Sequence, residues 1–251
     1  MKRIVSLLLV VGLFTGLSAD EENVLKTHAE IGYTNTAGNT ESQDLAGNLK
    51  MEYPFGKKNA LRFVGNVLYS TNKDFESNTT STTKNRWDAE ANYDYNFNET
   101  WAFNYLAGGK GDKFSTYSYQ AYTGPGAVWT TINSDTNNLK FQANVLWSWD
   151  ESREPYGDTN ETMHDYASWQ ASMDYTLQMT KSSKFIQYLM YRSEFEDSTN
   201  YFAKSKTALE SKINSSLSLG VSYTVDYTNN KAADVRSYTD RVFLAALIAD
   251  F

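Results

Sequence analysis

"RWDAEANYDYNF", residues 86–97, sorts its side chains into two sets with no exception. Trp87, Ala89, Ala91, Tyr93, Tyr95 and Phe97 fall on one face, and Arg86, Asp88, Glu90, Asn92, Asp94 and Asn96 on the other. A helical period of 3.6 would mix the sets, whereas the two-residue period of a strand keeps them apart. "SLSLGVSYTVDY" (216–227) repeats the pattern, with Leu217, Leu219, Val221, Tyr223, Val225 and Tyr227 on its apolar side. "LKFQANVLWSW" (139–149) does so with Leu139, Phe141, Ala143, Val145, Trp147 and Trp149.

Carried along the chain, this alternation predicts about twelve strands, near the length a tilted strand needs to cross a bilayer. Their expected spans are 25–36, 42–53, 59–71, 84–97, 101–111, 117–132, 138–150, 163–179, 184–195, 199–213, 216–228 and 235–251. The connections after strands two, four, six, eight and ten are short: "PFGKK", "NET", "NSDTN", "TKSS" and "NS". Those after strands three, five, seven and eleven read as longer and polar, such as "TNKDFESNTTSTT" and "ESREPYGDTNET". The loops after strands one and nine are modest. An even strand number with short turns at one end and longer loops at the other predicts an all-β, transmembrane, antiparallel up-and-down β-barrel.

The N-terminus reads as an export leader over residues 1–19. Lys2 and Arg3 precede the apolar run "IVSLLLVVGLF", and the small-residue stretch "GLSA" ends at Ala19. Residues 20–251 then form the barrel. The net charge of −7, more negative still without Lys2 and Arg3, argues against nucleic acid as a partner. The chain has no cysteine, so an exported product is stable without disulfides. A mean hydropathy of −0.56 looks soluble, but in a barrel an apolar face averages against a polar one.

Aromatic residues gather at the strand ends. Tyr53, Phe97, Trp101, Phe141, Tyr175 and Phe185 fall near the short turns, and Tyr33, Tyr69, Trp87, Trp147, Trp149 and Tyr227 near the long loops. Two such belts are what two membrane interfaces select. The closing stretch "RVFLAALIADF" places Phe243, Ala245, Leu247, Ala249 and Phe251 on one face, which lipid would cover. Phe243, Leu247 and Phe251 also resemble the C-terminal signal read by the bacterial barrel-assembly machinery.

"EIGYTNTAGNTESQDLAGNL" resembles the opening of the YdiY-like family of salt-induced outer-membrane proteins, in which a Gly-Asn-Thr turn follows the first strand, here Gly38, Asn39 and Thr40. The mid-chain Gly124-Pro125-Gly126 and a last strand carrying Asp240 and ending in Phe251 are similar too. The resemblance spans roughly residues 25–251. It implies an outer-membrane barrel and a link to salt or osmotic stress, and supplies no catalytic residues. Physically, Gly38 and Asn39 suit the positive φ of a tight turn. Pro125 between two glycines predicts a bulge or bend.

The polar face holds the candidate lumen residues Arg62, Arg86, Asp88, Glu90, Asp94, Lys140, Asp174, Arg192 and Glu194, of both signs. A strongly selective pore would show one sign dominating its constriction. Mixed charge predicts either a narrow, weakly selective channel or a bore closed by ion pairs. Catalysis is weakly signalled. In "TMHDYAS", Asp165 points away from His164, and Ser168 lies about 13 Å along the same face. The acidic stretch holding Asp150, Glu151, Glu154, Asp158, Glu161 and Asp165 lacks the ordered spacing of a calcium loop, so it is expected to be a solvated loop bridged to lipopolysaccharide by divalent cations. No cofactor, metal site or catalytic residue is expected. The expected protein is a monomeric, non-enzymatic barrel of the bacterial outer membrane, whose partners are membrane lipid, lipopolysaccharide and the assembly machinery. The competing readings are a barrel-borne lipase or protease and a soluble periplasmic lipocalin-like binder.

Overall fold

The computed structural model describes residues 24–36, 41–74, 78–155, 160–229 and 239–251. The leader and the Gly38-Asn39-Thr40 turn lie outside the described residues. Twelve strands follow in order: β1 (Lys26–Thr36), β2 (Glu41–Phe55), β3 (Asn59–Asp74), β4 (Thr79–Asn96), β5 (Trp101–Asp112), β6 (Tyr117–Asn133), β7 (Asn137–Ser152), β8 (Met163–Gln178), β9 (Ser183–Glu194), β10 (Tyr201–Lys212), β11 (Leu217–Asn229) and β12 (Thr239–Asp250). Each pairs antiparallel with its sequence neighbours, and β1 pairs with β12 to close the ring.

Apart from the ends of β3–β4 and β6–β7 that lie beyond a register shift, even-numbered residues pair with even, as in Glu52↔Arg62, Asp94↔Asn104 and Asp226↔Asp240. Away from the bulges, one parity therefore faces in throughout. Odd positions look outward: Val145 is 58% exposed, Leu219 56% and Phe243 70%. Even positions are covered, as with Asn104, Ser148 and Ser168 at 0%. The hydrophobic interior is small, centred on Leu106, Tyr122 and Leu146. Such an apolar outer wall has no protein layer over it, and hydrocarbon is the solvent it fits.

Outward aromatics form stacked rows at both ends. Near the short turns, Trp101, Trp129 and Phe141 sit at ring separations of 5.7 and 5.9 Å. Near the other end, Trp169, Tyr191, Tyr201 and Tyr227 run across β8 to β11 at 5.3, 5.4 and 5.6 Å.

Two expectations change, and one feature of the last strand is new. The connection expected to be long after the third strand is mostly paired: β3 runs to Asp74 and β4 starts at Thr79, with a register shift between Ser70 and Thr71. Its β-branched threonines suit an extended hairpin. Pro125 makes no bulge, because Thr123↔Trp147 and Gly126↔Asn144 keep one register; the β6–β7 irregularities lie between Tyr117 and Tyr119 and between Thr130 and Ile132. The glycines instead permit close approach, since a Cβ on Gly124 would overlap the Val145 carbonyl oxygen and one on Gly126 that of Ala143. Finally, β12 is apolar inward as well as outward, with Ala246 and Ile248 buried.

The seam is the least paired joint. Four register pairs, His28↔Asp250 to Ile31↔Leu247, join β1 to β12, against eleven between β1 and β2. Thr27 and Phe251 add a reciprocal rung, with N···O distances of 2.7 and 3.0 Å. Above it, a Cβ on Gly32 would collide with Leu244, which packs over the glycine.

Two outcomes follow. Val221→Arg, at the centre of the outer wall, should cost about 2–4 kcal/mol of stability when refolded into vesicles, as measured by denaturant titration. A water-facing wall predicts almost no change. Gly124→Val should abolish the folded, heat-modifiable gel band, because backbone rather than a mobile side chain blocks the new atoms.

Candidate functional site in the barrel interior

The inner face carries a continuous polar ladder. Following the register from β1, it runs Glu30, Asn48, Asn66, Asp88, Lys110, Gln120, Asp150 and His164. Asn48 donates to Asn66 (2.7 Å), and Asn66 donates to Asp88 (2.6 Å).

Charged side chains also reach across the bore. Lys204 on β10 lies 3.5 Å from Asp88 on β4, six places away in a ring of twelve strands. It is 3.9 Å from Asp226. Arg86 on β4 meets Asp226 on β11 (3.1 Å) and Asp240 on β12 (3.6 Å). Two cations and three carboxylates thus form a bridge between opposite walls.

A second layer is an amide raft. Arg62 binds Asp94 through Nε (2.5 Å) and Gln142 through Nη2 (3.2 Å). Gln142 donates to Asn92, Asn104 and Asn144 (3.1, 3.1 and 2.9 Å), and Asn104 donates to Asp94 (2.7 Å). Lys140 and Asp174 are register partners on β7 and β8. In a third layer the Arg192 guanidinium lies over the Tyr122 ring (4.0 Å) and the Phe202 ring (4.7 Å), and Lys110 also stands over Phe202 (4.7 Å). Tyr122 donates to Glu90 at 2.5 Å. Cations held against ring faces gain from the aromatic quadrupole while remaining in a polar interior.

The acidic stretch needs correction. Asp150 is not part of a solvated loop: β7 continues to Ser152, and Asp150 is buried where it accepts a bond from Tyr166 (2.7 Å). The even register turns it inward, which a reading of loop composition missed. Asp158 lies outside the described residues.

The geometry also turns against a histidine–serine couple at β8. His164 Nε2 is 3.3 Å from Glu194 Oε2, and its ring stacks on Tyr166 at 4.8 Å. Glu194 also accepts from Asn200 (2.9 Å), while Ser168 bonds Ser148 (2.8 Å). Phe243, Leu247 and Phe251 all lie outward and exposed.

One cluster escaped the sequence reading, which expected no metal site. His28 Nδ1 lies 2.7 Å from Asp250, and its Nε2 is 3.1 Å from Glu30 and 3.9 Å from Glu210. The His28–Glu30 spacing on one strand face was a visible signal. Glu210 and Asp250 come from distant strands and gave none.

Comparison with known proteins places this architecture. The COG4313 outer membrane channel from Pseudomonas putida F1 superposes with a TM-score of 0.50 at 8% identity, covering 93% of this chain and 98% of that one. The NanC porin (TM-score 0.47, 11% identity, 90% and 97% coverage) and the outer membrane channel DcaP of Acinetobacter baumannii (0.43, 11%, 91% and 95%) are also similar. At these identities the likeness concerns the fold. No curated protein matches the sequence. A family model described as "Protein of unknown function, DUF481" matches residues 29–251, nearly the whole of the barrel. The chain belongs to the DUF481 family.

Proposed function

We propose that the protein is a monomeric, non-enzymatic barrel of the bacterial outer membrane that provides a narrow, weakly selective passage for small solutes and opens as salt rises. The observation that carries this reading is the bridge of Lys204, Asp88, Arg86, Asp226 and Asp240 across the bore. Both signs meet there, so no single charge sets selectivity. The groups are partly solvated, with side-chain exposures from 18% to 68%. Desolvation offsets much of the attraction within such part-buried pairs, so parting one into a wetted bore costs less than the bare attraction suggests. The Debye length falls from about 10 Å at 0.1 M salt to about 3 Å at 1 M, which weakens the bridge as ionic strength rises.

This gives the salt link implied by the family resemblance a physical basis. The similar outer-membrane channels support the location, as does the apolar outer wall between its aromatic rows. On this reading Phe243, Leu247 and Phe251 serve as the assembly signal, and lipopolysaccharide lies against the loop end of the wall.

In planar bilayers, single-channel conductance should rise more steeply than bath conductivity between about 0.1 and 1 M KCl. The double variant Arg86→Gln/Lys204→Met should conduct more than the parent at the low end and scale with conductivity alone. Identical, linear behaviour in both proteins would overturn the bridge as the gate. Recovery of the protein from the soluble periplasmic fraction, rather than from detergent-extracted outer membranes, would overturn the location.

A further inference from the structure

The seam is the thinnest joint in the ring, and the histidine cluster lies on it. We propose that His28, Glu30 and Glu210 bind one divalent transition-metal ion of the zinc type, which clasps the wall where β1 meets β12. The three ligand atoms lie within 4.8 Å of one another. In a tetrahedral site with bonds of about 2.0–2.2 Å, ligand atoms stand roughly 3.3–3.6 Å apart. The observed 3.1 and 3.9 Å from His28 Nε2 to the two carboxylates already bracket that spacing. One imidazole and two carboxylates make a three-ligand set that leaves a fourth position for water.

Two features besides the donor set favour an ion. Asp250 holds His28 Nδ1 at 2.7 Å; in the tautomer with its proton on Nδ1, Nε2 presents a lone pair toward the carboxylates, as in a metal-bound histidine with an outer-shell carboxylate. Glu30 and Glu210 are both buried, so their oxygens are held in place against the interior of the wall.

Charge balance also permits it. Lys206 pairs with Glu30 (3.1 Å) and Lys184 with Glu210 (2.8 Å). A divalent ion replaces these two single charges, the long lysine chains can turn aside within the polar interior, and Lys50, the register partner of His28, is a third cation that acts on both carboxylates. The lysines are therefore competitors. The ligands come from β1 and β10 and the orienting carboxylate from β12, so the ion spans a seam of only four register pairs. The site does not require an open bore, so it stands or falls apart from the passage proposed above.

The test uses the full-length protein folded in detergent micelles, with Zn²⁺ as the probe and a heat-modifiable band confirming each fold. Equilibrium dialysis should find one Zn²⁺ per chain, and a hundredfold excess over the dissociation constant should raise the unfolding temperature by about 5–10 °C. His28→Ala and Glu210→Gln should each remove both effects. Asp250→Asn should weaken binding by about 10–100-fold. Lys206→Met should tighten it, an outcome that a purely structural ion-pair cluster does not produce. Zn²⁺ uptake by the parent no greater than by both ligand variants would overturn the proposal, as would equal stabilisation by Ca²⁺, which signals a loose acidic cluster.

Discussion

A peptide group in hydrocarbon has no water to bond, so the backbone must satisfy itself. Antiparallel closure does that for all twelve strands at once, and it removes the open edges that would recruit other chains. Everything else in the molecule follows from this ring. Because the wall is one strand thick, each strand has one face for lipid and one for the interior, and the alternation read in residues 86–97 is the direct expression of that division.

The interior solves a different problem. Charged side chains enclosed by the wall are costly unless partnered, and here many of them are partnered across strands and across the bore. Arg62 with Asp94, Arg86 with Asp226 and Lys204 with Asp88 keep opposite signs together at several depths. Arg192 and Lys110 use aromatic rings instead. The result is a polar interior held by interactions that are individually weak and exchangeable, in contrast to the fixed ladder of backbone bonds around it.

Much of the fold was legible because the two-residue period is a local property. Strand limits agree closely at β5, β6 and β8, where aromatic and polar residues alternate without a break. Reading failed where composition and pairing disagreed. The Thr-rich stretch at 79–83 reads as loop, yet it pairs with β3, and Asp150 reads as solvent-exposed, yet the register turns it inward. The inward aliphatics of β12 were hidden because every residue from Val242 to Ala249 is apolar, so alternation has nothing to mark. Pairings such as Lys204 with Asp88, or His28 with Glu210, depend on ring position, which no local pattern encodes.

The constant parity of the registers bears on how such a chain can vary. Away from the bulges the even positions share the inner surface, so the loss or gain of one amino acid inside a strand would present its greasy side to ions and its carboxylates to fat unless a bulge absorbed it, as those near Ser70 and Thr130 do. Changes in pairs are harmless in this respect, as are changes of any size in the connections beyond the rim. Changes of length are therefore absorbed most readily at the ends of the cylinder or at a bulge, and elsewhere in the wall exchange in place is the change that keeps both faces.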